Sequence, residues 1–412
     1  MTSPEPGRCL RVAYADGPDG PLPLPAEVLD AAGVLAGTRW GTSSYDRAEF
    51  LLGWVVREPG WLAGGGALLP GAGGGMPLSV TTFLVGSGTR RAVASGAVGY
   101  TPIRLSTLAH LVRGRLRQDL VVVGAWREGR SWRLAGSPGW ALDAVRASGR
   151  VVVERWPGSP PPGRPLLPDC EVLGVIERSD PPDPAPPLRS GPVQIAIGRR
   201  VASLIPGDAT LQWGPGAIGA AVVSCLQAPV RVHSGLVTDE VADLDERGLL
   251  KGTARAAYVW GGGRLSTMIA EGRLDLIEVG ESHDVTNVSS IERFVAVNTA
   301  VQVGLDGSVN VESVGGRVVA GPGGHPDFAL AASSSPGGLS IVAVASTAGG
   351  ESTIVARPDV VSTARSDVDV VVTEYGVADL RECGDAERAA RITAISHPDH
   401  RDRLRAEGLR AP

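Results

Sequence analysis

At 412 residues, with 43% hydrophobic side chains and a formal net charge of −5, the chain has the bulk for two or three cores and the balance of a globular protein. The acidic balance argues against a nucleic-acid binder as a class, and no apolar run is long enough to span a bilayer, so neither nucleic acid nor membrane is an expected partner. Residues 1–8 lack the apolar core of a signal peptide. The four cysteines, Cys9, Cys170, Cys225 and Cys383, are far apart and show no CxxC spacing, which argues against a zinc motif or a disulfide framework and makes a cytoplasmic setting the expectation.

In chain order, strands are expected at 10–14, 82–86 and 91–96, with 49–56 as a strand or short helix. A helix at 107–112, a buried strand at 119–124, a helix at 139–148 and a strand at 150–154 follow. Strands alternating with helices at this spacing predict a parallel sheet. Residues 156–192 are proline-rich and read as an extended linker with one short strand at 171–176, because proline neither pairs in a central strand nor continues a helix. This divides the chain into an N-terminal unit, 1–155, and a C-terminal unit, 193–412.

The C-terminal unit opens with a helix at 193–205, a strand at 209–213, a glycine turn and a helix at 218–226. Strands are expected at 229–233, 256–260, 274–279 and 294–298. The segment 301–321 alternates apolar and polar residues around Asp306-Gly307, a hairpin signal. Strands at 339–346 and 368–373 precede a basic helical end, 387–409. No internal repeat is visible, although two α/β halves of this size can be related in structure without it.

The chemistry is expected around His233-Ser234-Gly235-Leu236-Val237-Thr238-Asp239, read as a polar loop closing a buried strand, where α/β proteins place their ligands. Two glycine-rich loops, Gly214-Pro215-Gly216 and Gly321-Pro322-Gly323-Gly324-His325, are candidates to converge on it, bringing Gly214, Gly216, Gly323 and Gly324 against the ligand. His233 and His325 have the side chain suited to general-base work at neutral pH. Glu312 is a candidate to face the cleft, and Arg264 to meet phosphates. Asp327 is expected to cap its own helix through Leu330. Cys225 reads as core. His397-Pro398-Asp399-His400 reads as a helix start, so no metal site is expected.

Several of these motifs, in order, resemble the acetyl-CoA hydrolase/transferase family, which includes 4-hydroxybutyrate CoA-transferase. They are Gly207-Asp208-Ala209-Thr210-Leu211-Gln212 with its Gly-x-Gly, His233-Ser234, Asn298-Thr299-Ala300-Val301-Gln302-Val303 and the segment from Asp306 to Ser313. Gly321-Pro322-Gly323-Gly324, the run from Asp369 to Ala378, and Ser396-His397-Pro398-Asp399 complete the series. The resemblance covers about 190–405. It implies two CoA-transferase-like α/β domains with mainly parallel sheets, an active-site cleft between them, a coenzyme A thioester as substrate with no tightly bound cofactor, and a homodimer. It also implies a glutamate nucleophile just after His-Ser, with backbone N–H groups of the glycine loops stabilising developing charge.

The chain departs from that pattern at the nucleophile. Gly235 stands at the glutamate position and has no side chain to attack with; Asp239 and Glu240 lie four and five residues further on. Pro215 removes an N–H from the first glycine loop, and Pro322 and His325 alter the second. The expectation is an acyl-CoA hydrolase or acyl-transfer enzyme working without a covalent glutamyl intermediate, with space beside the acyl carbonyl for water or a larger substrate. A specialised-metabolite condensation or cyclisation, a non-catalytic CoA-binding paralogue, and an acyl-carrier protein as thioester donor stay open.

Overall fold

The computed structural model describes residues 8–14, 17, 23–34, 45–62, 77–156, 163–179 and 189–408. The valine-rich runs assemble two sheets of eight strands each. Across the first sheet the order is Gly99–Tyr100, Leu78–Thr82, Arg47–Leu52, Cys9–Tyr14, Leu120–Glu128, Arg150–Arg155 and Glu171–Glu177, all parallel, with Ser131–Leu134 folded back antiparallel onto Leu120–Glu128. Side chains alternate between two cores along these strands. Leu120 and Val122 join Leu10 and Val12 on one face; Val121 and Val123 join Leu108 and Trp140 on the other. Both faces are covered, which is why the run is apolar without interruption.

The second sheet runs Leu274–Leu276, Ala254–Trp260, Arg231–Thr238, Thr210–Trp213, Phe294–Thr299, Leu339–Ala343, Val370–Thr373 and Gly376–Asp379, the last antiparallel at the edge. Its winding repeats that of the first. In each sheet the chain starts in the middle, steps outward to one edge, returns, and steps outward to the other. The related halves are therefore visible in topology where the sequence shows no repeat. In the second sheet the direction reverses between Thr210–Trp213 and Phe294–Thr299, and the carboxyl ends of two such strands leave a crevice.

Several local expectations are corrected. The strand foreseen at 82–86 ends at Thr82, because the Thr82 hydroxyl accepts from Leu84 N–H at 3.2 Å and turns the chain away. Residues foreseen as a strand at 91–96 form the short helix Arg90–Ala94, whose last N–H groups find partners inside the turn. The strand foreseen at 274–279 stops at Leu276 and gives way to the helical turn Val279–Ser282. The stretch read as a loop from His233 is the body of the strand Arg231–Thr238, held in register by Ala254–Trp260 as far as Thr238 opposite Trp260. The strand foreseen inside the linker, Glu171–Glu177, is the edge of the first sheet. Pro165 and Pro168 are described, and Pro192 opens the helix Pro192–Ala202; the other linker prolines lie outside the described residues.

The two sheets meet along a polar seam. Arg146 forks onto Glu278, Tyr100 donates its hydroxyl to Glu312 at 2.5 Å, and Val259 N–H donates to the Ser137 hydroxyl at 3.0 Å. Asp327, itself buried, supplies another. Instead of capping its own helix, His325–Ser334, it accepts from Ser106 N–H at 2.9 Å and Ser106 Oγ at 2.7 Å, in the first turn of Leu105–Arg113. That helix has no side-chain cap of its own, so a carboxylate from the other half satisfies its orphan donor. Burial pushes the Asp327 carboxyl up to about 6, against the pull of the Ser106 donors.

Replacing Asp327 with Ala should cost about 1–3 kcal/mol, since it leaves a buried N–H without its acceptor; urea denaturation measures it. The folded pKa lies above the ordinary 3.8. The folded state therefore holds the extra proton between about pH 4 and 6, and this residue's contribution to stability falls as pH rises through that window. Asp327→Asn should abolish that component of the pH dependence.

Candidate functional site

A cavity of about 410 Å³ opens at the switch point of the second sheet, flanked by segments that follow strands of the first. Trp213 and Gly214 end one strand and Asn298 and Thr299 the other, all four facing the cavity. Gln212 and Asn298 exchange side-chain amide hydrogen bonds of 3.2 Å across these two strands, fixing the floor. Trp54, Leu84, Val85 and Leu105 come from the N-terminal half, Tyr258 and Phe328 from the C-terminal half. The walls are largely apolar. No Asp or Glu is among the described residues that line the cavity.

The second glycine loop forms one side. Gly323 has a φ of +55°, open to glycine at no cost, and Gly324 leads into the helix His325–Ser334, whose positive end faces the cavity. The N–H groups of Gly323 and Gly324 donate to no partner among the described residues. The first glycine loop is less available. Gly214 N–H is committed to the Val297 carbonyl at 2.9 Å, Pro215 has no N–H, and Gly216 is not part of the lining.

Gly235 lies within its strand and faces the cavity, but the space beside it is taken. A Cβ built at Gly235 falls 2.8 Å from His283 Nε2 and 3.1 Å from the Phe328 ring, and one built at Gly324 falls 2.5 Å from the same Nε2. The imidazole of His283 thus lies across the bare backbones of two glycines that are 89 residues apart in sequence. The gap expected at Gly235 is a histidine niche. A side chain at either glycine would push the ring out of this position.

The other expected site residues are placed differently from one another. His325 lines the cavity; its Nδ1 lies 2.7 Å from the Thr363 hydroxyl, and its Nε2 is enclosed, with no partner among the described residues. His233 sits beneath the cavity, its Nε2 hydrogen-bonded to the Ser282 carbonyl at 2.9 Å. The Glu312 carboxylate accepts from Tyr100 and from the Ser362 hydroxyl at 2.7 Å, in the seam. Arg264 is engaged by Asp243 at 2.7 Å and Glu246 at 3.2 Å and is not part of the lining. Among the described residues no group of three or more His, Cys, Asp or Glu is placed to hold a metal. His283 was not singled out in the sequence: it follows a strand that ends early, and nothing local marks it as pointing at Gly235. The Gln212–Asn298 pair had its signal in the Gly207–Gln212 and Asn298–Val303 motifs.

All three histidines of this region are held neutral. Burial lowers His325 to about 4; burial, then repulsion from His233, lowers His283 to about 3; burial also lowers His233, opposed by the Ser282 carbonyl. Their folded pKa values lie below the ordinary 6.5, so the unfolded chain binds more protons, and their contribution to stability is lost as pH falls from about 6.5 toward 3. Asp327 opposes this with one proton. His325→Gln should flatten the acid limb by about 1.4 kcal/mol per pH unit between pH 6 and 4, read from denaturation midpoints across pH.

With the geometry established, the relatives of the chain can be placed. Residues 266–408 match the profile of the acetyl-CoA hydrolase/transferase C-terminal domain. The 4-hydroxybutyrate coenzyme A transferase of Clostridium kluyveri is 30% identical over 348 residues, covering 79% of this chain and 80% of that one. The succinyl-CoA:cyclohexane-1-carboxylate CoA transferase of Geobacter metallireducens is 29% identical over 348 residues, 79% of each chain. Among solved structures, RipA from Yersinia pestis superposes with a TM-score of 0.77 at 21% identity, over 97% of this chain and 93% of that one, a likeness of fold. The chain belongs to the acetyl-CoA hydrolase/transferase family.

Proposed function

We propose that the chain cleaves an acyl-CoA-type thioester by direct attack of water or a second small nucleophile, without an acyl- or CoA-bound glutamate on the enzyme. One observation carries this reading: the cavity combines an apolar wall with the unpartnered N–H groups of Gly323 and Gly324 and, among the described residues that line it, has no carboxylate. The apolar wall of Trp54, Leu84, Tyr258 and Phe328 suits an acyl chain. The N–H groups of Gly323 and Gly324, at the positive end of a ten-residue helix, are suited to the oxyanion that forms when the carbonyl is attacked. A nucleophilic carboxylate is what carboxylate exchange needs, and the wall where it is expected carries a glycine and a neutral imidazole.

The nearest acids do not supply a substitute. Asp239 accepts from Gly262 N–H at 3.2 Å, and Glu240 from the Thr238 hydroxyl; neither belongs to the lining. Glu374, in another motif of the family, is occupied by the N–H and hydroxyl of Ser346 at 2.9 and 2.6 Å.

Incubation with acetyl-, butyryl- and benzoyl-CoA should release free thiol for at least one, with no transfer of CoA to labelled acetate or succinate and no mass increase on the quenched protein. Label appearing in the thioester pool, or a CoA adduct on any carboxylate, overturns the reading. Gly324→Ala, which drives a methyl group into the His283 ring, should lower turnover at least about tenfold, consistent with losing the alignment of an oxyanion donor.

A further inference from the structure

We propose that His283 is the catalytic base of this chain: its Nε2 accepts a proton from the water that attacks the thioester carbonyl. The inference rests on the thioester reading above and names the group that does the chemistry there.

The orientation of the ring follows from its hydrogen bonds. Nδ1 lies 2.7 Å from the Ser282 hydroxyl, and that hydroxyl lies 3.5 Å from the Val279 carbonyl. A carbonyl only accepts. Both contacts are therefore satisfied in one direction alone, with Ser282 O–H donating to Val279 and Nδ1–H donating to Ser282. Nε2 is left with its lone pair, on the side of the ring that lies against Gly235 and Gly324 and lines the cavity. Phe328 packs on the ring at 4.6 Å between centroids and holds its plane. Below it, His233 donates Nε2–H to the Ser282 carbonyl and anchors the turn that carries both residues. Gly280 lets the same turn press against Ala109, where a Cβ would fall 3.0 Å from that side chain. The base is thus fixed from both halves of the molecule.

The Nε2 lone pair and the N–H groups of Gly323 and Gly324 border the same stretch of cavity wall, so a carbonyl held by those donors lies near the base. Water attacks the carbonyl carbon and gives one proton to Nε2 as its oxygen–carbon bond forms. When the tetrahedral intermediate collapses, the carbon–sulfur bond breaks, and the same proton passes from Nε2–H to the departing thiolate. The products are a carboxylic acid and free CoA, and the imidazole is returned neutral. His325 is less suited, since its Nε2 is enclosed and cannot reach a water in the cavity.

The test compares the wild-type chain with His283→Gln, His283→Ala and Gly235→Ala, measuring thiol release from the acyl-CoA that the wild type cleaves best. Binding of the corresponding dethia-acyl-CoA, in which a methylene replaces the sulfur, is measured in parallel. Both His283 variants should lose at least about 100-fold in kcat with little change in analogue binding, and added imidazole should restore part of the activity of His283→Ala. Gly235→Ala, whose methyl group displaces the ring, should fall in the same way, and it decides the question if the His283 variants do not fold. Wild-type turnover in His283→Gln, or in Gly235→Ala, overturns the base and leaves the thioester reading standing. A wild-type chain that neither binds the dethia analogues nor cleaves any thioester removes both.

Discussion

The contact of one imidazole with two bare glycine backbones organises the site. His283 lies against Gly235 and Gly324, and a side chain at either position would need the space its ring fills. The contact joins the three segments that define the cavity: the strand Arg231–Thr238, the turn Val279–Ser282 and the loop leading into His325–Ser334. The absence of a side chain at Gly235 and the position of the His283 ring are thus coupled. Each residue accounts for the other. A glycine with nothing beside it would leave a hole, and a histidine without the glycine would collide with it.

The frame around this contact is a doubled design. Each sheet reverses its winding at its middle, and the cavity lies at the reversal of the second sheet, beside a partial roof supplied by segments that follow strands of the first. The roof is tied down by polar pairs that cross between halves: Ser106 with Asp327, Tyr100 with Glu312, Arg146 with Glu278. Glu312 and Asp327 both flank the glycine loop in sequence, and both are committed to the seam. The acids nearest the site in the chain serve to position its walls, which explains why the cavity itself has so little charge.

Much of this was legible in the sequence, for identifiable reasons. Strands buried on both faces, such as Leu120–Glu128 and Phe294–Thr299, announce themselves as apolar runs, and helices such as Leu105–Arg113 by their spacing. The second glycine loop, which lines the cavity, and Gly235 beside it were readable from motif order. Less legible was anything set by contacts distant in sequence. The run from His233 looked like a loop because it is polar, but its partner strand, Ala254–Trp260, holds it extended. Asp327 looked like a local cap, but the helix it serves begins at Leu105. His283 could not be assigned at all, because only the fold brings it to Gly235.

A neutral imidazole, and no carboxylate, beside Gly235 also fits the electrostatics of the cavity. A buried carboxylate needs donors or a cation to remain ionised, and no Lys or Arg is among the described residues lining the wall. The donors at hand, Gly323 and Gly324 N–H, are more useful to an oxyanion that exists only during reaction than to a permanent charge. A neutral ring leaves them free. Its basicity is low in the resting site because burial penalises the imidazolium, but a negative oxyanion forming beside it raises that basicity when the proton must move. The same apolar wall that suppresses charge in the resting cavity strengthens the attraction between imidazolium and oxyanion once both appear.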